Sequence, residues 1–124
     1  MTRSLPPVVI TGSRLLREQL RYAEQQYGLD FDYHDNIPDG RRYAVRRTAV
    51  ILGSDLLALV RKPWWCRGTV LAASVGPFTA RMLEHGERAG AVCAIELPAG
   101  LPMLMDAIRR ADHDQPILPR QVHR

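Results

Sequence analysis

Three clusters in this chain carry side chains able to do chemistry. The first is Asp30, Asp32 and His34, with Asp35 adjacent, whose alternation along an extended segment projects three possible metal ligands from one strand face. No distant fourth ligand stands in an obvious motif, so the expectation is a solvated edge face with no bound metal. The second cluster is a set of small and hydroxyl residues, Thr11, Gly12, Ser13, Gly53, Ser54, Ser74, Val75 and Gly76. Turns of this composition let backbone N–H groups approach an anion, most readily at a helix start near Ser13. They do not match GxGxxG, which argues against a dinucleotide site and leaves either an anion pocket or a set of plain turns. The third is Trp64 and Trp65 among Arg61, Lys62 and Arg67. Two adjacent bulky aromatics in an extended segment cannot face the same core wall, so one of them is expected to be exposed or half-exposed. Trp beside basic residues suits a protein hot spot, stacked bases or a lipid surface as well as packing. His85, His113 and His123 are isolated, and no Ser/His/Asp order or activated Cys follows from spacing. Cys66 and Cys93 lack CxxC spacing and are expected to be reduced and buried. No catalytic residue and no cofactor is assigned.

The elements that must position these residues read as alternating strands and helices. Val8 to Ile10 is a short β-branched run, followed by a helical stripe at Leu16, Leu20, Ala23 and Tyr27, with Ser13 as N-cap and Gly28 as left-handed C-cap. Leu29 to His34 alternates, with Phe31 and Tyr33 inward, as an edge strand does. Asp35 to Arg47 contains Asn36, Pro38, Asp39 and Gly40 and then four arginines, and is expected to be mostly loop with one poor helical turn over Arg41 to Arg46. Thr48 to Leu52 has no polar residue after its first and predicts a strand covered on both faces. A short helix is expected over Asp55 to Val60, with Leu56, Leu59 and Val60 inward, and a second buried strand over Thr69 to Ala73. Phe78, Met82, Leu83 and Ala89 mark a helix ending at Gly90, and Ala91 to Ile95 reads as the last strand. Pro102 suits a first helical position, and Leu104, Met105, Ile108 and Ala111 form the final apolar stripe. The segment 112–124, with Pro116 and Pro119, is expected to be an extended tail or linker.

Five strands, each followed by a helix or a loop long enough to replace one, predict an α/β, doubly wound, flavodoxin-like parallel sheet of order 2-1-3-4-5 with a degenerate second helix. The hydroxyl and glycine cluster then gathers at the carboxyl ends of strands one, three and four, where such sheets bind ligands.

Composition narrows the function classes. A chain of 124 residues, 46% hydrophobic and 24% charged, holds one core and has no room for two. Its longest apolar runs are about five residues, far short of the roughly 20 that span a bilayer. Met1 to Pro7 has one Arg and two prolines rather than a secretory signal, and the expectation is a cytoplasmic protein. The net charge of +4 is unevenly spread: Arg41, Arg42, Arg46, Arg47, Arg61, Lys62 and Arg67 face only Asp55 in their stretch, leaving the remainder slightly acidic. These arginines cluster in loop rather than along one helix face, so sequence-specific DNA binding lacks a recognition helix.

Over residues 7–111 the chain resembles a response-regulator receiver domain from which the chemistry has been removed. A receiver has an acidic pair after its first strand, to hold the magnesium that neutralises phosphate charge; here those positions are Thr11 and Gly12. Its phosphate-accepting Asp ends the third strand, where this chain has Gly53. Asp55 lies two residues beyond, where it is expected to help cap the short helix. Ser74 matches the receiver's Ser/Thr, but the Lys before Pro is replaced by Leu97 before Pro98. A narrower resemblance is to the receiver-like amino-terminal domain of actinobacterial septum-site-determining proteins and of TadZ- and CpaE-type proteins. It rests on VVITGSRLLREQL, TAVILGSD and GAVCAIELPAGLPMLMDAIRR. Such domains precede a MinD/ParA-like ATPase, whereas no GxxxxGK[ST] or deviant form occurs in these residues, so the chain is an excised domain or a free-standing partner.

The resemblance implies a non-enzymatic pseudo-receiver that works by protein contact, as a homodimer or as regulator of a MinD/ParA-like ATPase in septum placement or polar assembly. It implies recruitment from the cytoplasm to a septum or pole through that partner. It also implies a dimer surface on the fourth helix, fifth strand and fifth helix, with Arg81, His85, Arg88, Glu96, Met103 and Arg109. Two alternatives stay open: a small-ligand or nucleotide sensor at the strand-end crevice, and a nonspecific nucleic-acid binder using Arg41 to Arg67.

Overall fold

A computed structural model describes residues 5–113 and the backbone of 121–123. Strands β1 (Val8–Ile10), β2 (Asp32–His34), β3 (Ala49–Gly53), β4 (Thr69–Val75), β5 (Cys93–Leu97) and β6 (Gln121–His123) form one sheet of order 2-1-3-4-5-6, parallel throughout. The five-strand order 2-1-3-4-5 is the expected one. The sixth strand comes from the segment expected to be a tail; the rest of that segment beyond residue 113 lies outside the described residues.

The sheet is covered on both faces, which is why its central strands read as unbroken apolar runs. Val9, Ile51, Leu71, Ala73, Ile95 and Leu97 turn to one face, where helices α1 (Arg14–Tyr27) and α4 (Leu101–Asp112) bring Leu16, Leu20, Leu104 and Ile108. Their neighbours Val8, Ile10, Val50, Leu52, Val70 and Ala72 turn to the other, where they meet Ala44, Leu57, Trp64 and Ala89. Helix α1 begins as expected: the Ser13 hydroxyl accepts from the Leu16 N–H at 3.2 Å, and Gly28 closes the helix at φ 65°. Its stripe stops at Ala23, however, and Tyr27 stays 47% exposed.

Other expectations are corrected. Residues 37–44 form a helix, α2 (Ile37–Ala44), not a loop. Asn36 caps it, accepting from the Asp39 N–H at 2.9 Å, and Pro38 lies in the first turn, where it lacks no needed donor. Gly40 is buried because α2 lies so close to β1 that a Cβ there would run into the Ile10 side chain. Where a third helix was expected there is only a 3-10 turn, Leu57–Leu59, with Leu57 and Val60 inward and Leu59 exposed. Residues 60–68 then run across the sheet face as an extended connection. Helix α3 (Ala80–Arg88) is capped by Thr79, whose hydroxyl accepts from the Met82 N–H at 3.1 Å. β5 starts two residues later than expected, with Cys93, Ile95 and Leu97 buried.

Candidate functional site

The strand-end cluster assembles around one carboxylate that arrives from the loop after β3. Thr11, wholly buried at the end of β1, donates its hydroxyl to Asp55 Oδ1 at 2.6 Å. The Gly12 N–H donates to Asp55 Oδ2 at 2.8 Å, and the Ser13 N–H donates back to the Thr11 hydroxyl oxygen at 3.0 Å. Arg17, one turn into α1, donates through Nη2 to the Thr11 carbonyl at 3.2 Å. One backbone N–H of the β1–α1 turn, that of Gly12, therefore already holds a carboxylate supplied by the chain itself. This corrects the expected role of Asp55: it bridges β3 to the β1–α1 turn rather than capping its own turn.

Gly53 occupies the end of β3, and its backbone passes so close to Thr11 and Asp55 that a Cβ there would collide with both side chains. A carboxylate at this position has no room while Asp55 sits where it does. Ser54 follows, its N–H donating to the Ala73 carbonyl at 2.8 Å. Ser74 is buried in β4, and no hydrogen bond ties it to Thr11, Gly12 or Asp55 among the described residues. Thr11, Gly12, Ser13 and Gly53 are thus brought together as expected, joined by an Asp assigned elsewhere. Nothing local in the sequence signals the Thr11–Asp55 bond, which spans 44 positions.

The Asp30, Asp32 and His34 face is only partly solvated, where a solvated face was expected. Because α2 forms, the His34 side chain is 14% exposed and its ring stacks on Tyr43 at 4.9 Å between centroids. Asp32 is paired with Arg47 Nη2 at 3.0 Å and lies 3.2 Å from His34 Nε2, while Arg47 Nη1 donates to the Pro6 carbonyl at 2.6 Å. The carboxylate is committed to a guanidinium that ties β2 to the chain before β1. Asp30 remains exposed.

The two tryptophans divide as the spacing predicts: Trp64 is 4% exposed and Trp65 67%. Trp64 belongs to the core and not to an interaction surface. Arg41 reaches over its ring at 4.5 Å and donates through Nη2 to the Lys62 carbonyl at 2.8 Å, a contact without a sequence signal. Arg61 and Arg67 are exposed. On the face expected from the resemblance, Arg81, Arg88, Met103 and Arg109 are exposed and His85 is half-buried. Glu96 is engaged internally, accepting from the Phe78 N–H at 2.7 Å. Cys66 and Cys93 are free and buried, and burial pushes both thiols above their ordinary value, away from reactivity. A separate cleft of about 470 Å³ lies between the end of α1 and α4, lined by Tyr27, Leu29, Pro102, Met105, Ile108 and Arg109.

No family model and no curated protein matches the chain. Solved structures do. A LuxR family DNA-binding response regulator from Silicibacter pomeroyi aligns with a TM-score of 0.58 at 18% identity, over 94% of this chain and 98% of that one. A response regulator in red light signaling of R. palustris aligns with a TM-score of 0.50 at 18% identity, over 94% of this chain and 100% of that one. At this identity the likeness is one of fold: the chain has the receiver-like, flavodoxin-like architecture.

Proposed function

We propose that this chain is a non-enzymatic pseudo-receiver that acts by protein contact, pairing with itself or regulating a MinD/ParA-like ATPase in septum placement or polar assembly. The observation that carries the non-enzymatic part is the Asp55 bridge. A phosphoaspartate switch needs a free carboxylate at the end of the third strand, an acidic pair opposite it and a lysine beyond the fifth strand. Here Gly53, Thr11 with Gly12, and Leu97 stand in those positions, and Asp55 fills the space between the first two. The same bridge weighs against a small-anion sensor, since an incoming phosphate would have to displace a carboxylate held by two donors. The receiver-like fold supports the contact role, because its helices cover both faces of the sheet and present exposed side chains such as Arg81, Arg88 and Arg109. Recruitment to a septum or pole, and the identity of the ATPase, rest on the sequence resemblance alone.

Intact-mass measurement after incubation with acetyl phosphate and magnesium tests the first part. No added phosphoryl group is expected, and a phosphorylated species would overturn it. Light scattering across a concentration series tests self-pairing: a mass that rises toward the dimer supports it. A strict monomer removes it and leaves contact with a different protein.

A further inference from the structure

We propose that the β3–β4 connection is a docking surface for an anionic lipid bilayer, entered by Trp65 and flanked by Arg61, Lys62 and Arg67. Burial alternates along this segment: Trp64 and Cys66 turn inward, while Pro63, Trp65 and Arg67 turn outward. The inward side is pinned at several points. The Trp64 N–H donates to the Ala89 carbonyl at 2.6 Å, the Cys66 thiol donates to the Thr69 carbonyl at 3.4 Å, and Arg41 covers the Trp64 ring while holding the Lys62 carbonyl. Trp65 is therefore displayed outward between two neighbours held against the core. Leu59, 63% exposed, closes the 3-10 turn of the same connection.

Among the described residues, Arg61, Lys62 and Arg67 form no ion pair. An indole and an aliphatic side chain flanked by uncompensated cations match a bilayer interface, where the ring sits at headgroup depth and the cations meet acidic lipid. Single-stranded nucleic acid is the weaker match. It stacks on successive aromatic faces, whereas Trp64 is buried under Arg41 and Leu59 has no π-face. The cleft between α1 and α4, which could seat a peptide, lies on the opposite face of the sheet. This docking concerns where the domain sits and does not depend on whether it pairs with another protein.

The test mixes the full chain with phosphatidylcholine vesicles and with equimolar phosphatidylglycerol–phosphatidylcholine vesicles, read by co-sedimentation and tryptophan emission. Binding is expected only to the acidic vesicles, falling with added salt, with a blue shift that Trp65→Ser abolishes. Trp64, already buried, contributes little to that shift. Arg61→Gln, Lys62→Gln and Arg67→Gln should each weaken binding about fivefold. All four side chains are exposed, so circular dichroism should show the fold intact. No binding to acidic vesicles at low salt, or binding that these substitutions leave unchanged, would overturn the proposal. Tighter binding to a single-stranded oligonucleotide than to lipid, with quenching of Trp65, would overturn it in favour of nucleic acid.

Discussion

Asp55 shows how a single side chain can occupy a strand-end site while tying together the turns around it. Its two bonds satisfy a wholly buried Thr11 hydroxyl and the Gly12 N–H of the β1–α1 turn. Asp55→Ala leaves Thr11 without its acceptor and should lower unfolding free energy by about 1–3 kcal/mol, measured by urea denaturation. Gly53→Asp, which restores the receiver's carboxylate, should not restore phosphorylation. It forces side chains apart in a filled space, and a loss of about 1–3 kcal/mol is expected with no mass gain from acetyl phosphate. The buried thiols give a pH prediction. Burial raises both above the ordinary 9.0, so the folded state holds these protons more tightly than the unfolded chain does. Their contribution to stability is complete below pH 9 and is lost as pH rises through the higher folded values. Cys66→Ala with Cys93→Ala should therefore flatten the alkaline decline in melting temperature.

At the scale of elements, α2 was hidden because its sequence carries a Pro, a Gly and a run of arginines, each of which reads as loop. In place, Pro38 sits in the first turn, Gly40 permits contact with Ile10, and two of the arginines, Arg41 in the helix and Arg47 beyond it, reach Trp64 and Asp32. Gly40→Ala should destabilise by about 1–3 kcal/mol despite its better helix propensity, because Ile10 must move. Asn36→Ala should cost about 1 kcal/mol by removing the cap. Chemical denaturation with helix content followed by circular dichroism distinguishes these from a loop, in which both changes would be nearly silent. The β3–β4 connection makes the opposite point: Asp55 to Val60 looks helical, but Val60 must turn inward with Trp64 to cover the sheet, which ends the helix after one 3-10 turn.

For the molecule as a whole, the sheet divides the core into two layers that share no side chains. Leu71 and Val70 are neighbours in β4 yet serve different layers. Leu71→Ala, fully buried beneath α1, should cost about 2–5 kcal/mol in urea denaturation. Parallel pairing of β6 with β5 lengthens the sheet beyond the five-strand expectation.

The sequence by itself determined the layers and the strand order. Burial on both faces leaves an unbroken apolar run, and Ser13 and Gly28 mark helix ends by local hydrogen bonding and backbone freedom. It also placed a glycine, Gly53, with no side chain to react, at the end of the third strand. Only the tertiary structure decided what fills that place. The bond from Thr11 to Asp55, the stacking of Arg41 on Trp64 and the pairing of Arg47 with Asp32 join residues distant in sequence. Composition and periodicity report which face a residue turns to, but not which partner from another element meets it there.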